Sequence, residues 1–156
     1  MNLFVDKHFH LLKLLLAENV KFILVGGYAV IYYGYKRTTG DLDIWFEPTN
    51  KNKLQLIKVL KQFDFDSNGV EHIAQLDFTT HLAFNFWDEP ERVDCLTAIS
   101  NVNFNDAYEQ RTIANYDDVN IPFIHYNHLV LSKISSERLK DRADVEELQK
   151  VNKFKS

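Results

Sequence analysis

The chain has 156 residues, of which 46% are hydrophobic and 26% are charged. These values are ordinary for a globular domain, so they exclude a disordered tail, a collagen-like rod and a disulfide scaffold. The formal net charge of -4 creates no general attraction for phosphate backbones, so any contact with nucleic acid has to be local. We expect one domain that spans residues 1–156.

Hydrophobic periodicity predicts ten elements in the order α-β-α-β-α-β-β-α-β-α. The helices are expected over 4–18, 28–33, 50–63, 104–111 and 128–151, and the strands over 22–25, 42–47, 81–87, 92–99 and 119–125. Asn127 is the expected cap of a long C-terminal helix. This order predicts a mixed α/β domain with helices packed against a small sheet.

Cysteine content and hydropathy restrict the compartment. Cys95 is the only cysteine, so an intramolecular disulfide and a cysteine-based zinc site are both excluded. No stretch approaches the ~20 apolar residues that cross a bilayer. Charged residues and histidines interrupt the leucines near the N-terminus, which is typical of an amphipathic helix rather than a signal peptide. We therefore expect a cytoplasmic protein with no membrane partner.

The clearest chemical signal begins at a glycine pair. Gly26 and Gly27 follow the apolar run 22–25, and a helix is expected shortly after them. Without side chains, their backbone amides can approach a polyphosphate closely, and the start of the helix favours negative charge there. A plain tight turn is the alternative.

Three aspartates follow on two predicted strands. Asp41 and Asp43 are two residues apart, so the alternation of a strand points both carboxylates to one side of the sheet. Asp94 lies in another apolar strand, and a neighbouring strand can place it against the pair. Carboxylates in this arrangement suit Mg²⁺, and three of them around two cations support in-line displacement at phosphorus. The alternatives are a solvated strand edge for the pair and an ordinary strand residue for Asp94.

Together these motifs resemble the minimal nucleotidyltransferases of the DNA polymerase beta superfamily. The shared pattern is a strand, a Gly-Gly or Gly-Ser turn, a short helix, an Asp-x-Asp pair on the next strand and a third acid on a later strand. Tyr28-Ala29 and Arg37-Thr38-Thr39 are similar to motifs of abortive-infection-type toxin nucleotidyltransferases and small antibiotic nucleotidyltransferases. Lys133 and the run 138–144 extend the resemblance into the C-terminal helix. One departure is Gly27, where many relatives carry a serine whose hydroxyl contacts phosphate.

The resemblance implies a nucleotidyltransferase-like fold and a metal-dependent enzyme. It implies transfer of a nucleoside monophosphate from an NTP to an acceptor hydroxyl, with release of pyrophosphate. Asp41, Asp43 and Asp94 are the implied catalytic residues and the ligands of a two-metal Mg²⁺ or Mn²⁺ site. The acceptor stays open among a tRNA end, a protein hydroxyl and a small molecule, and a protein partner or a homodimer is one way to complete its site. The alternative is a non-catalytic, regulatory nucleotide-binding partner in a toxin–antitoxin-like pair.

Further candidate nucleotide contacts accompany the glycines. Tyr28 lies beside them, where its ring either stacks on a base or packs in the core. Lys133 and Lys140 are seven apart, so they are expected near one stripe of the last helix, either facing the β- and γ-phosphates or on a solvated face. The resemblance favours the phosphate role for Lys140. Arg37 either contacts phosphate or anchors its loop.

Overall fold

The structure, a computed structural model, describes residues 3–36, 39–63, 65–136 and 138–155. Within those ranges the chain forms seven helices and six strands. The helices are α1 (Asp6–Ala17), α2 (Gly26–Tyr32), α3 (Asn50–Lys61), α4 (Ser67–Ala74), α5 (Phe104–Glu109), α6 (Tyr126–Ile134) and α7 (Leu139–Lys155). The strands are β1 (Phe22–Val25), β2 (Leu42–Phe46), β3 (Ala83–Phe86), β4 (Val93–Leu96), β5 (Thr112–Tyr116) and β6 (Val119–Phe123).

The six strands form one mixed sheet in the order β3-β4-β2-β1-β6-β5. Neighbours β1 and β2, β3 and β4, and β5 and β6 pair antiparallel. Strands β2 and β4 pair parallel, as do β1 and β6. The parallel pairs are far apart in sequence and are linked by helices, as parallel connections require. The predicted mixed α/β fold is therefore confirmed.

The core lies around the two central strands. All four residues of β1 are buried, because the strand has neighbours on both sides and helices against the sheet. On β2, Leu42, Ile44 and Phe46 are fully buried on one face. The alternation of the strand sends Asp43 and Trp45 to the other face. The central strand thus supplies core on one side and chemistry on the other.

Two short elements were absent from the sequence prediction. Helix α4 buries only Val70 and Ile73, which is too few for a visible helical stripe. Its local signal is Asp66, whose side chain accepts a hydrogen bond from the Gly69 amide as an N-cap. Strand β5 is an edge strand in which Ala114 is the one buried residue, so its alternation is weak.

The predicted continuous helix over 128–151 is wrong, because the chain breaks it into α6 and α7. The Ser136 hydroxyl accepts a hydrogen bond from the Arg138 amide and donates one to the Asp141 carboxylate. Such local side-chain bonds compete with the helical ladder and favour a turn. Helix α6 also begins two residues early, at Tyr126, because the His125 ring accepts from the Asn127 amide.

None of the described helices combines the length and the apolar character that crossing a lipid bilayer requires.

Candidate active site

The sheet brings the three predicted aspartates together. Asp43 on β2 lies directly opposite Asp94 in the parallel pairing with β4. Asp41 precedes β2 by one residue, and its charge acts on Asp43 as well. Residues about 50 positions apart in sequence therefore meet on one face, because β4 pairs beside β2 and not with a more distant strand.

The electrostatics of this group centre on Asp43. Burial raises the pKa of Asp43 to about 6, and the charges of Asp94 and Asp41 add to the rise. A hydrogen bond from the Gly27 amide and the charge of Lys140 oppose it. Desolvation and the two neighbouring negative charges thus both favour the protonated form of Asp43.

The glycine turn is fitted against Asp43. Gly26 has a φ of +68°, a conformation that side chains disfavour, and a Cβ there would lie 2.7 Å from Cγ of Asp43. The next amide, that of Gly27, donates to the Asp43 carboxylate. The turn therefore positions the carboxylate of Asp43. The sequence predicted that these glycines approach phosphate, but it did not predict this second role.

Two charged residues of the turn before β4 join the site, and the sequence prediction missed both. Arg92 donates from Nε and Nη2 to Oδ1 of Asp94, at 3.1 and 3.0 Å. Glu89, which is exposed, shares a hydrogen bond with Asp41 that raises the pKa of Glu89. The only local signal was their position within five residues of Asp94.

The three carboxylates offer oxygen donors of the kind that bind divalent cations. Oδ1 of Asp41 is buried and has no hydrogen-bond partner among the described residues. A cation between the carboxylates would occupy that oxygen and remove the repulsion at Asp43. As they stand, no three His, Cys, Asp or Glu side chains in the described ranges are gathered as a metal site. Asp94 is held by Arg92, so it would have to turn or use its second oxygen to take part.

The two predicted lysines occupy different environments. Lys140 lies on the exposed first turn of α7, close enough for its charge to lower the pKa of Asp43. Lys133 lies on α6 with its side chain 11% exposed, and its ammonium binds Asp141 at 2.9 Å and Asp144 at 3.0 Å. The break between α6 and α7 separates the two lysines, so the expected shared stripe is wrong.

Lys133 belongs to a buried ion cluster that joins α6 to α7. Burial tends to raise the pKa of Asp141, but hydrogen bonds from Lys133 and Ser136 outweigh it and the pKa is lowered. Arg138 also contacts Asp141, at 3.2 Å. The ammonium of Lys133 is thus committed to two carboxylates, which leaves Lys140 as the better placed of the two for phosphate.

Tyr28 and Arg37 complete the predicted set. The Tyr28 side chain is buried, and its ring lies 5.1 Å from that of Phe4 and 6.3 Å from that of His8. Burial, with a contribution from Asp41, raises the pKa of Tyr28. Its ring therefore packs in the core and has no open face for a base. Arg37 lies outside the described residues.

The fold is similar to those of two solved nucleotidyltransferase structures. One is the lincosamide antibiotic adenylyltransferase LnuA with lincomycin bound, at 20% identity and a TM-score of 0.55 over 96% of this chain and 99% of that one. The other is an antigenic nucleotidyltransferase-like protein from Paracoccidioides brasiliensis, at 13% identity and a TM-score of 0.52 over 93% of this chain and 73% of that one. At these identities the likeness concerns the fold. No curated protein matches the sequence.

The family comparison covers almost the whole chain. A family model described as "Nucleotidyltransferase of unknown function (DUF6036)" matches residues 4–154. The resemblance seen in the glycine turn and the Asp-x-Asp pair is thereby confirmed. The chain belongs to this nucleotidyltransferase family and is an enzyme of nucleotide transfer.

Proposed function

We propose that this enzyme transfers a nucleoside monophosphate from an NTP to an acceptor hydroxyl, with release of pyrophosphate. The observation that carries the proposal is the pairing of Asp43 with Asp94 across β2 and β4, with Asp41 beside them and the Gly26 turn against them. Nothing in the hydrophobic core requires three carboxylates at this place, and the charges of Asp94 and Asp41 act unfavourably on the ionised Asp43 even with Arg92 paired to Asp94. Such a cost is typical of a functional site.

The carboxylates fit one or two divalent cations. Asp41 and Asp43 would hold Mg²⁺ or Mn²⁺, and Asp94 would complete a second position. When bound, such ions neutralise the triphosphate and lower the pKa of the attacking hydroxyl. The buried, unpartnered oxygen of Asp41 and the raised pKa of Asp43 support this assignment.

The side chains of the enzyme position the reactants and move the proton. Lys140 would orient the phosphates that leave as pyrophosphate, because its ammonium is exposed on the carboxylate side. The acceptor oxygen forms a bond to the α-phosphorus while the bond from that phosphorus to the bridging oxygen breaks. Asp94 would accept the proton of the acceptor hydroxyl. Most of the rate enhancement in such a site comes from orientation and electrostatics.

The nature of the acceptor is the finer part of the proposal. The similar structure LnuA acts on a lincosamide antibiotic, which supports a small hydroxyl-bearing molecule over a tRNA end or a protein hydroxyl. The net charge of -4 points the same way, since it provides no surface attraction for a long polyanion.

A ligand-induced stability measurement tests the proposal. The midpoint of thermal unfolding would be recorded with each of the four NTPs and Mg²⁺ or Mn²⁺, for the wild type, Asp43→Asn and Asp41→Asn/Asp43→Asn. At least one NTP should stabilise the wild type with metal, and this ligand-induced shift should vanish in both variants. Asp118→Asn makes the same chemical change in the exposed β5–β6 turn and should keep the full shift.

Transfer itself needs a second readout. With an NTP labelled at the α-phosphorus, the wild type and candidate acceptors should yield a labelled product and one pyrophosphate per transfer. If no NTP stabilises the wild type more than the double variant, the proposal is wrong. If NTP binding is intact while no pyrophosphate is released with any acceptor class, the regulatory alternative replaces it.

A further inference from the structure

A cleft of about 510 Å³ lies against Trp45 of β2. Its floor is Trp45 of β2, and its walls are the segment 97–105, which leads from β4 into α5, and the segment 79–81. A volume in this range suits a small molecule, not a polymer strand. The cleft is separate from the residues that we assign to the NTP, since none of Gly26, Gly27, Lys140 or the three aspartates lines it.

The cleft lies on the sheet face that carries the aspartates. Trp45 follows Asp43 by two positions on β2, so both side chains project from the same face, with their Cα atoms about 7 Å apart. On the neighbouring strand β4, Asp94 pairs with Asp43 and Leu96 pairs with Trp45, so Asp94 and Leu96 project from this same face. A molecule that contacts Trp45 from the cleft would therefore lie one same-face position along β2 from Asp43.

The chemistry of the lining selects against charge. Its polar members are threonines, asparagines, one histidine and a tryptophan, and none of its residues is Asp, Glu, Lys or Arg. Apolar contact comes from Ile99, Val102 and Phe104, and the ring of Phe104 meets that of Trp45 edge-on at 5.2 Å. A polyphosphate or a nucleic-acid backbone finds no cation here. A neutral molecule with hydroxyl and amide groups finds apolar walls and polar side chains, of which the Thr97 hydroxyl and the Asn101 amide already bond within the protein.

An unpaired donor on the floor is the second observation that points to a ligand. Trp45 is 1% exposed, and its indole N–H has no hydrogen-bond acceptor among the described residues. A buried donor without a partner costs about 1–3 kcal/mol. A ligand oxygen that reached this N–H would recover that cost, and a small displacement of the cleft wall is needed because the nitrogen is covered.

We propose that the Trp45 cleft is the acceptor subsite, and that the acceptor is an uncharged, hydroxyl-bearing small molecule. This inference rests on the proposed function, since it gives the nucleotide transfer its acceptor class. The ligand accepts a hydrogen bond from the indole of Trp45 and packs on Phe104. One of its hydroxyls reaches Asp94, which accepts the hydroxyl proton as the oxygen bonds to the α-phosphorus and the bond to the leaving pyrophosphate breaks.

Tryptophan fluorescence tests the proposal without needing turnover. The chain has two tryptophans, so Trp87→Phe leaves Trp45 as the single reporter. The probes are a set of uncharged disaccharides and glycosides, compared with sugar phosphates and inorganic triphosphate. In this background, Asn105→Phe places a bulky ring at the rim of the cleft, because Asn105 is an exposed residue of the lining. Glu109→Phe adds the same ring to an exposed residue of α5 outside the lining.

At least one uncharged probe should change Trp45 emission saturably. Asn105→Phe should weaken that probe by about tenfold or more, or roughly 1.4 kcal/mol, and Glu109→Phe by less than about twofold. The proposal is overturned if no uncharged probe changes Trp45 emission saturably, or if Asn105→Phe does not weaken the binding of those that do. It is also overturned if Asn105→Phe weakens only the binding of the anionic probes. Binding of each of the four NTPs with Mg²⁺ is measured on the same proteins. If the wild type binds none of them, nucleotide transfer is refuted, whereas the probe titrations still decide whether the cleft binds a ligand.

Discussion

The backbone of Gly26 lies so close to the carboxylate of Asp43 that no side chain fits between them. A Cβ at Gly26 would meet Cγ of Asp43 at 2.7 Å, and the φ of +68° adds strain for any other residue. The neighbouring Gly27 amide donates to the same carboxylate. One turn thus sets the position of the central acid, and through it the spacing of the whole group.

Replacing Gly26 should therefore damage stability and ligand binding together. Gly26→Ala combines a left-handed conformation with a clash, so the free energy of unfolding should fall by about 2–5 kcal/mol. Stabilisation by ATP and Mg²⁺ should be lost in the part of the protein that still folds. Gly34 also has a positive φ, of +107°, but is exposed at the end of α2. Gly34→Ala should cost only about 1–2 kcal/mol and keep ligand binding; equal effects of the two variants would contradict this role for Gly26.

The raised pKa of Asp43 predicts a pH-dependent stability. The folded chain holds a proton on Asp43 up to about pH 6, whereas the unfolded chain releases it near 3.8. The contribution of Asp43 to the free energy of unfolding is therefore highest below pH 3.8 and falls as the pH rises to about 6. The full loss corresponds to roughly 3 kcal/mol.

Asp43→Asn isolates that contribution, because asparagine does not titrate. In urea unfolding with EDTA, the variant should gain stability relative to the wild type by about 2–3 kcal/mol between pH 4 and pH 8. Mg²⁺ at pH 8 should reduce the gap, since it stabilises the ionised wild type. If the stability difference between Asp43→Asn and the wild type stays constant with pH, the ionisation of Asp43 does not affect the free energy of unfolding and the prediction is wrong.

The ion cluster of Lys133 predicts a structural phenotype. Lys133→Met removes the ammonium that the buried Asp141 and Asp144 carboxylates share, so stability should fall by about 3–5 kcal/mol. Lys150 forms an exposed pair with Glu147, and Lys150→Met should cost less than about 1 kcal/mol. Urea unfolding measures both. A loss for Lys133→Met no larger than for Lys150→Met would show that the cluster does not hold α6 to α7.

Replacing Lys140 should affect ligand binding and not stability, in contrast to Lys133. Its side chain is exposed, so Lys140→Gln should leave the free energy of unfolding within about 0.5 kcal/mol of the wild type. If it contacts phosphate, the dissociation constant for ATP with Mg²⁺ should rise by roughly tenfold. Arg142→Gln is a matched change on an exposed residue of the same helix and should leave that constant unchanged. Unchanged ATP affinity in Lys140→Gln would remove it from the site.

Cys95 provides a probe of unfolding in the native chain. It is fully buried, and burial raises the pKa of the Cys95 thiol well above its usual range. A thiol reagent should therefore label it only through opening of the sheet. ATP with Mg²⁺ should slow labelling of the wild type and not of Asp43→Asn. Fast labelling that is insensitive to denaturant would show that the cysteine is reachable in the folded state.

Local signals in the sequence were sufficient for much of the fold. The apolar runs at β1 and β2 and the stripe of α3 predicted those elements, because burial on a strand or a helix leaves a short-range pattern. The edge strand β5 and the helix α4 bury one and two residues, which is too little to leave such a pattern. The break before α7 depends on local hydrogen bonds of the Ser136 hydroxyl with the Arg138 amide and the Asp141 carboxylate, which the hydrophobic pattern does not reveal.

The sequence by itself contained the motifs that resemble those of nucleotidyltransferases: a glycine turn after a buried strand, an Asp-x-Asp pair and a third aspartate. These signals are local, since each depends on residue type and spacing within one element. Only the tertiary structure decided that Asp94 faces Asp43, that Lys133 is committed to Asp141 and Asp144, and that Tyr28 packs in the core. Those facts follow from strand order and helix packing. Both bring together residues that are far apart in the chain, so they produce no local sequence pattern.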